Sequence, residues 1–297
     1  MTPPEVPEDV VDWVREVFRD CNERISRKIC LVPNCPEPSL DTTFIEHLSQ
    51  HSAPRALESG WTVRIDTHFL GGLRHFYNKW EIGDIGILMH FRHNGSVVRS
   101  KAATLQSKRL YPKGRQVTED LMVDYEIGFG RLHDPEDARV PLYHATEFEF
   151  DSESRYSALG AHSEQFDAIS NYGKTSKVPV FYQFYNPLVL PFKQMVPLHS
   201  DSCDHALEFG TRVLPVVDVH SILAPKQKNY SPSVADMGGA KDPFGWSLEH
   251  FVADLMLRCK QGYIYEDLDD ESIFSLFNRR SGAIGAAFAV VIEQPEG

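Results

Sequence analysis

Several chemistries are excluded by what this chain lacks. No apolar stretch in its 297 residues approaches the length needed to span a bilayer, and no membrane partner is expected. Neither GxxxxGK[ST] nor GxGxxG occurs, so no glycine-rich loop cradles a nucleotide phosphate and ATP use is not expected. There is no GxSxG, which removes one footing for acyl-transfer hydrolysis. Five cysteines (Cys21, Cys30, Cys35, Cys203 and Cys259) fit reduced thiols better than a disulfide framework. Cys30-x4-Cys35 and His199-x3-Cys203-x-His205 contain zinc-binding residue types but have neither finger nor ribbon spacing. The N-terminus, Met1-Thr2-Pro3-Pro4-Glu5, is acidic and proline-rich, unlike a secretory signal, so a cytoplasmic location is expected.

One absence is local. Residues 85–118 contain no Asp or Glu, although the whole chain carries a net charge of −12. The same segment holds seven basic residues: Arg92, Arg99, Lys101, Lys108, Arg109, Lys113 and Arg115. An acidic body argues against broad, nonspecific nucleic-acid binding. A single basic segment within it reads as a groove for phosphates, with Arg99, Lys101, Arg109, Lys113 and Arg115 as expected contacts. Apolar content of 42% and charged content of 24% are ordinary for a soluble globular protein that buries a sizeable core.

Periodicity predicts the elements. Residues 8–27 read as an amphipathic helix, with Val11, Val14, Phe18, Cys21 and Ile25 at three- or four-residue steps. Residues 31–40 hold three prolines and read as an arm. Asp41 or Thr42 caps a second expected helix through Phe44, Ile45, Glu46 and Leu48. A short helix at 54–58 and a strand at 61–69, ended by Gly71-Gly72, follow. Two strands, about 84–92 and 97–111, flank Asn94-Gly95, the strongest hairpin signal in the chain. Further expectations are a short helix at 119–125, irregular chain over 128–160, and a helix at 163–172. Strands at 178–185 and 212–219, loop over 224–245, a helix at 247–260 and a closing strand at 283–292 complete the list. The order predicts an α/β or α+β fold around one mixed central sheet with flanking helices. The expected division is an arm (1–40), a core (41–127) and a large C-terminal α/β elaboration packed on the core (128–297).

The chemistry-bearing residues lie on the hairpin. An acid at Asp84 is followed about twenty residues later by Gln106-Ser107-Lys108. Residues two apart on a strand face the same side, so Gln106 and Lys108 project together beside the small Ala102 and Thr104. A simple two-residue turn at Asn94-Gly95 would set Asp84 opposite Leu105, on the wrong face. One bulge, or a three-residue connection, brings Asp84 opposite Gln106. Mg²⁺ takes oxygen ligands, usually one or two carboxylates with water and phosphate completing the shell. Asp84 supplies a carboxylate, Gln106 a side-chain oxygen, and the Leu105 or Ser107 carbonyl a further ligand. Lys108 would orient the attacking water and stabilise charge developing on phosphorus. A second acid is expected from the preceding helix, Glu46 first and Glu58 second. Arg74-His75 and Trp80-Glu81 precede Asp84 and are candidates for the same cleft; His47 and His51 sit four apart on a helix.

Asp84, Gln106 and Lys108, with Glu46 matching by its place on a preceding helix, resemble the PD-(D/E)xK nuclease superfamily. The likeness is to its Mrr-like restriction group, which uses Gln before x-Lys, and covers roughly residues 42–127. A proline before Asp84 is absent; the chain reads Glu81-Ile82-Gly83-Asp84. The resemblance implies a restriction-endonuclease-like core and an endonuclease that cleaves DNA, less often RNA, with Mg²⁺, for which Mn²⁺ substitutes. It also implies a restriction or anti-phage setting. A homo-oligomer or a co-encoded regulatory protein would add basic surface to the acidic body. The contrasting expectation is a non-catalytic interaction or scaffold protein with a nuclease-like fold.

Overall fold

The computed structural model describes residues 5–33, 35–69, 82–113, 146–196, 199–266, 270–278 and 284–295. It is a mixed α/β structure, as expected. The helices are α1 (Glu8–Leu31), α2 (Glu37–Ser49), α3 (Glu164–Thr175) and α4 (Val216–Leu223). A fifth, α5, begins at Leu248–His250 and widens into a π-helix over Phe251–Leu257; α6 does the same over Glu271–Ile273 and Phe274–Asn278. The strands are β1 (Arg55–Ala56), β2 (Thr62–Phe69), β3 (Gly83–His93), β4 (Ser96–Arg109), β5 (Thr146–Phe150) and β6 (Val180–Tyr185). The rest are β7 (Val189–Val196), β8 (His199–Glu208), β9 (Arg212–Pro215), β10 (Trp246–Ser247), β11 (Tyr263–Tyr265) and β12 (Ile284–Gln294).

Nine strands form one sheet in the order β1-β2-β12-β3-β4-β6-β9-β10, with β11 also paired to β4. β12 runs parallel to β3, and β6 runs parallel to β4. The expected core (41–127) and elaboration (128–297) therefore contribute strands to the same sheet. β5, β7 and β8 form a separate three-stranded sheet. Among the described residues, no helix is long and apolar enough to cross a membrane.

One face of the sheet carries Ile85, Ile87, Met89 and Phe91 of β3, with Val290 and Ile292 of β12 beside them, all at most 1% exposed. That face lies under α1 and α2. Phe18 of α1, Phe44 of α2 and Phe288 of β12 meet there, with ring centroids 5.4–6.2 Å apart. On the opposite face Tyr182 of β6 lies near His220 of α4, which stacks on Phe166 of α3. Gly86 also faces that way; a Cβ there would lie 2.6 Å from the Phe277 ring.

Several expectations are corrected. Residues 54–58 are not helical: Arg55 and Ala56 pair with Val63 and Thr62. The run at 212–219 is a strand only to Pro215, which then stands at the N-cap of α4. Its β-branched valines suggest a strand, but Val219 and Leu223 sit four apart and are buried, while Val217 is 72% exposed. The second helix starts at Glu37, not at Asp41 or Thr42. Proline is tolerated in a first turn, where its missing N–H would have no helical partner. The helix at 247–260 is largely a π-helix, and Lys101 donates to the Met256 carbonyl near its end (2.8 Å). Gly71-Gly72, the helix at 119–125, and 128–145 lie outside the described residues.

The three-ring contact generates a stability prediction. Phe288→Ala should cost roughly 3–5 kcal/mol, as large-to-small changes at filled core sites do. Equilibrium denaturant unfolding measures it. A loss below about 1 kcal/mol would show that the α1–α2 face is not packed through this ring.

Candidate active site

The hairpin β3–β4 decides the site. Asn94 and Gly95 both take positive φ, +49° and +75°, as a two-residue type I′ turn requires. His93 pairs with Ser96 and Arg92 with Val97, and then the register shifts: Phe91 pairs with Arg99. Val98 is the extra residue of a β-bulge. The shifted register continues to Ile85 opposite Leu105 and so sets Asp84 against Gln106. Asp84 thus shares a face with Gln106, by the bulge and not by a longer connection.

The contacts follow that register. Asp84 Oδ2 accepts from Gln106 Nε2 (2.5 Å) and from the Ser107 backbone N–H (2.6 Å). Two residues on, Lys108 Nζ stands 3.4 Å from Glu37 Oε1. The other oxygen of Glu37 accepts the Arg109 backbone N–H (3.0 Å). Glu37 reaches the strand because the first turn of α2 overhangs the end of β4. One helical turn further, Asp41 Oδ1 accepts from Ser107 Oγ and from the Tyr185 hydroxyl, both at 2.6 Å. Gln106 is 1% exposed and Lys108 3% exposed, while Asp84 is partly exposed.

Arg109 holds α2 in place. Its guanidinium is fully buried and donates to the carbonyls of Pro33 and Cys35, immediately before the helix. It also lies 4.5 Å from the Tyr111 ring centroid.

Three carboxylates thus surround one ammonium in a dry place. Burial pushes the Glu37 carboxyl up to about 7; Lys108 pulls it down, and Asp84 adds to the rise. Burial also raises Asp41 well above the usual carboxylate range, reinforced by Asp84 and Glu37. Burial works against the Lys108 ammonium, but Glu37 and Asp84 outweigh it and hold its pKa above the ordinary value.

The structure brings together Asp84, Gln106 and Lys108, and it replaces the expected helix acid. Glu46 is not at the site: its side chain is 61% exposed and lies 3.9 Å from Arg24. Nine residues separate it from Glu37, about two and a half turns at 3.6 residues each, which puts it on the opposite side of α2. Glu58 is exposed in the turn between β1 and β2. Glu37 and Asp41 are the acids near the hairpin, and their four-residue spacing in the sequence was the available signal.

The expected phosphate groove is also corrected. Lys101 and Arg109 are fully buried and bonded to backbone carbonyls, and burial lowers Lys101 to about 8. Lys113 is exposed but paired with Asp151 at 2.8 Å. Arg99 is half-buried. Arg115, Arg74, His75, Trp80 and Glu81 lie outside the described residues, as do the side chains of His199, Cys203 and His205.

Among the described residues, no three His, Cys, Asp or Glu side chains are grouped as a ready-made metal centre. The donor chemistry nonetheless suits Mg²⁺, which uses few protein ligands. Gln106 Oε1 is buried with no hydrogen-bond partner, a hard oxygen donor beside the Asp84 carboxylate. Its amide now presents nitrogen to Asp84, so ligation by the oxygen requires the amide to turn over.

Comparison of the chain with family models, with curated proteins and with solved structures finds no match. The site is read from its own geometry.

The raised Glu37 carboxyl makes a prediction about pH. Its ordinary value is 4.5 and its folded value about 7, so between them the folded protein binds more protons than the unfolded chain. Rising pH across that window destabilises the fold. His47, His51, His90 and His220 are lowered by burial and push the other way, so a single stability curve mixes both. Comparison with Glu37→Gln isolates the acid. In chelator, the variant should gain roughly 1–3 kcal/mol on wild type between about pH 5 and about pH 8. Chemical denaturation at each pH measures the gap, and a constant gap would contradict the raised carboxyl.

Proposed function

We propose that this chain is a Mg²⁺-dependent endonuclease that hydrolyses phosphodiester bonds, with DNA as its substrate class. The observation that carries the reading is the meeting of Asp84 with Gln106 at the end of the sheet. Lys108 stands two residues on, under the acid of a helix that precedes the hairpin. The resemblance to PD-(D/E)xK nucleases supports the same roles, and it implies the restriction or anti-phage setting. Asp84, Glu37 and Gln106 Oε1 would hold the cation. Bound there, Mg²⁺ supplies a water of lowered pKa and neutralises phosphate charge.

The chain's own groups then have distinct tasks. Lys108 is held protonated by its carboxylate neighbours, so it acts as a cation and hydrogen-bond donor, not as a base. It orients the water and meets charge developing on phosphorus. The low exposure of Gln106 and Lys108 keeps bulk water away, which strengthens each electrostatic contact. Phosphate contacts by Lys101 and Arg109 are withdrawn. A homo-oligomer or a co-encoded regulatory protein is our proposed source of further basic surface. The competing reading is a non-catalytic interaction protein, and one observation favours it: Lys108 is engaged with Glu37 and almost wholly covered.

Digestion of plasmid and single-stranded DNA with Mg²⁺ or Mn²⁺ separates the two. Wild type should cleave, and Asp84→Asn, Glu37→Gln and Lys108→Ala should each lose on the order of 100-fold or more. Glu46→Gln should cleave like wild type. A wild-type chain inert with both ions selects the interaction-protein reading, and full activity in Lys108→Ala removes the mechanism.

A further inference from the structure

The two acids of α2 make different contacts. Glu37 faces the charged end of Lys108. Asp41 faces two hydroxyls, Ser107 Oγ and the Tyr185 hydroxyl, through a single oxygen. The two hydroxyl oxygens are themselves 3.4 Å apart, so the three polar heads close into a triangle. Ser107 and Tyr185 are fully buried.

Ser107 is the middle residue of Gln-x-Lys. Strand alternation sends its side chain to the α2 face, while Gln106 leaves the strand on the other. Its backbone N–H lies in the sheet and reaches Asp84 Oδ2 at 2.6 Å. One residue therefore joins the two sides: its amide grips Asp84 and its hydroxyl is gripped by Asp41.

We infer that Ser107, Asp41 and Tyr185 form a positioning clamp behind the Asp84 carboxylate, with Asp41 acting through Ser107 and not as a ligand itself. The inference rests on the reading of Asp84 as a cation ligand. Asp41 Oδ1 accepts both hydroxyl donors, which turns that oxygen toward Ser107 and Tyr185. Tyr185 brings the second of these from β6, whose Cα at this point pairs with Arg109 of β4. The clamp so spans α2, β4 and β6. Fixing Ser107 fixes its N–H, and this sets the plane in which the Asp84 carboxylate presents itself. Partners of this kind orient a ligand without touching the ion.

The test is Mn²⁺ affinity of the full chain by titration calorimetry, without nucleic acid, with a melting curve for each variant. Removing the hydroxyl or the acceptor, in Ser107→Ala or Asp41→Ala, should weaken Mn²⁺ binding by about 10-fold or more. The conservative changes keep the geometry: Ser107→Thr retains a hydroxyl and Asp41→Asn retains an acceptor oxygen. Both should bind within about 3-fold of wild type, a loss far smaller than that of an outer partner. Adding Ser107→Ala to Asp41→Ala should cause no further loss. Asp41→Asn binding as poorly as Asp84→Asn would make Asp41 a ligand and overturn the clamp. Ser107→Ala binding like wild type would overturn it as well. A wild-type chain that binds no Mn²⁺ would remove the cation-site reading and the clamp with it, a result distinct from either of those.

Discussion

One extra residue in β4 sets the site. Side chains on a strand alternate, so a slip of one position exchanges the two faces of everything beyond it. The tight turn at Asn94-Gly95, taken alone, puts Asp84 opposite Leu105; the bulge at Val98 restores Asp84 to Gln106. The same register buries Ala103 and Leu105 toward α1 and α2 together with Ile85 and Ile87. Core and site therefore demand one alignment, and an alternative register would expose the apolar set as it broke the polar one. The turn is tied down at its far end: Glu293 of β12 accepts the Gly95 N–H at 3.1 Å and lies 3.5 Å from Arg92.

The basic segment has a different meaning from the one its charge suggests. Residues 85–109 supply two central strands of the sheet, β3 and β4, each with a neighbour on both sides. An acid on the buried stretches of these strands would lie without a partner, at a cost of several kcal/mol. The absence of Asp and Glu from those buried stretches thus follows from position in the fold. The buried cations are engaged internally: Lys101 at the π-helix of α5, Lys108 with Glu37, Arg109 at the carbonyls before α2. Long aliphatic stems let Lys and Arg pass through apolar surroundings to such partners.

What the sequence disclosed divides along contact range. The hairpin, its need for a one-residue shift, and the convergence of Asp84, Gln106 and Lys108 were legible because turn chemistry and strand parity are local rules. α1, β2, β6 and β12 were legible from period alone. Glu37 was not, because three prolines marked 31–40 as an arm and the helix begins inside it at Pro36-Glu37-Pro38, which also makes Asp41 a residue of the second turn and not the expected cap. The anchor that holds this helix start in place, Arg109, is more than seventy residues away. The insertion of β12 between β2 and β3 is likewise a long-range pairing that no window of sequence contains.

The electrostatics of the site tie these observations together. Glu37, Asp41 and Asp84 crowd around Lys108, leaving more negative than positive charge in a largely dry place. The chain offsets part of this with oriented donors: the N–H groups of Ser107 and Arg109, the Gln106 amide, and the hydroxyls of Ser107 and Tyr185. Burial and mutual repulsion still lift Glu37 and Asp41 toward their neutral forms. A buried cluster that holds protons because burial and mutual repulsion disfavour its charges would give them up to a divalent cation, as the proposed site requires. The unpartnered Gln106 oxygen beside the cluster adds a neutral hard donor. Packing alone does not call for so costly an arrangement of acids; the divalent-cation site we propose would give it a physical reason.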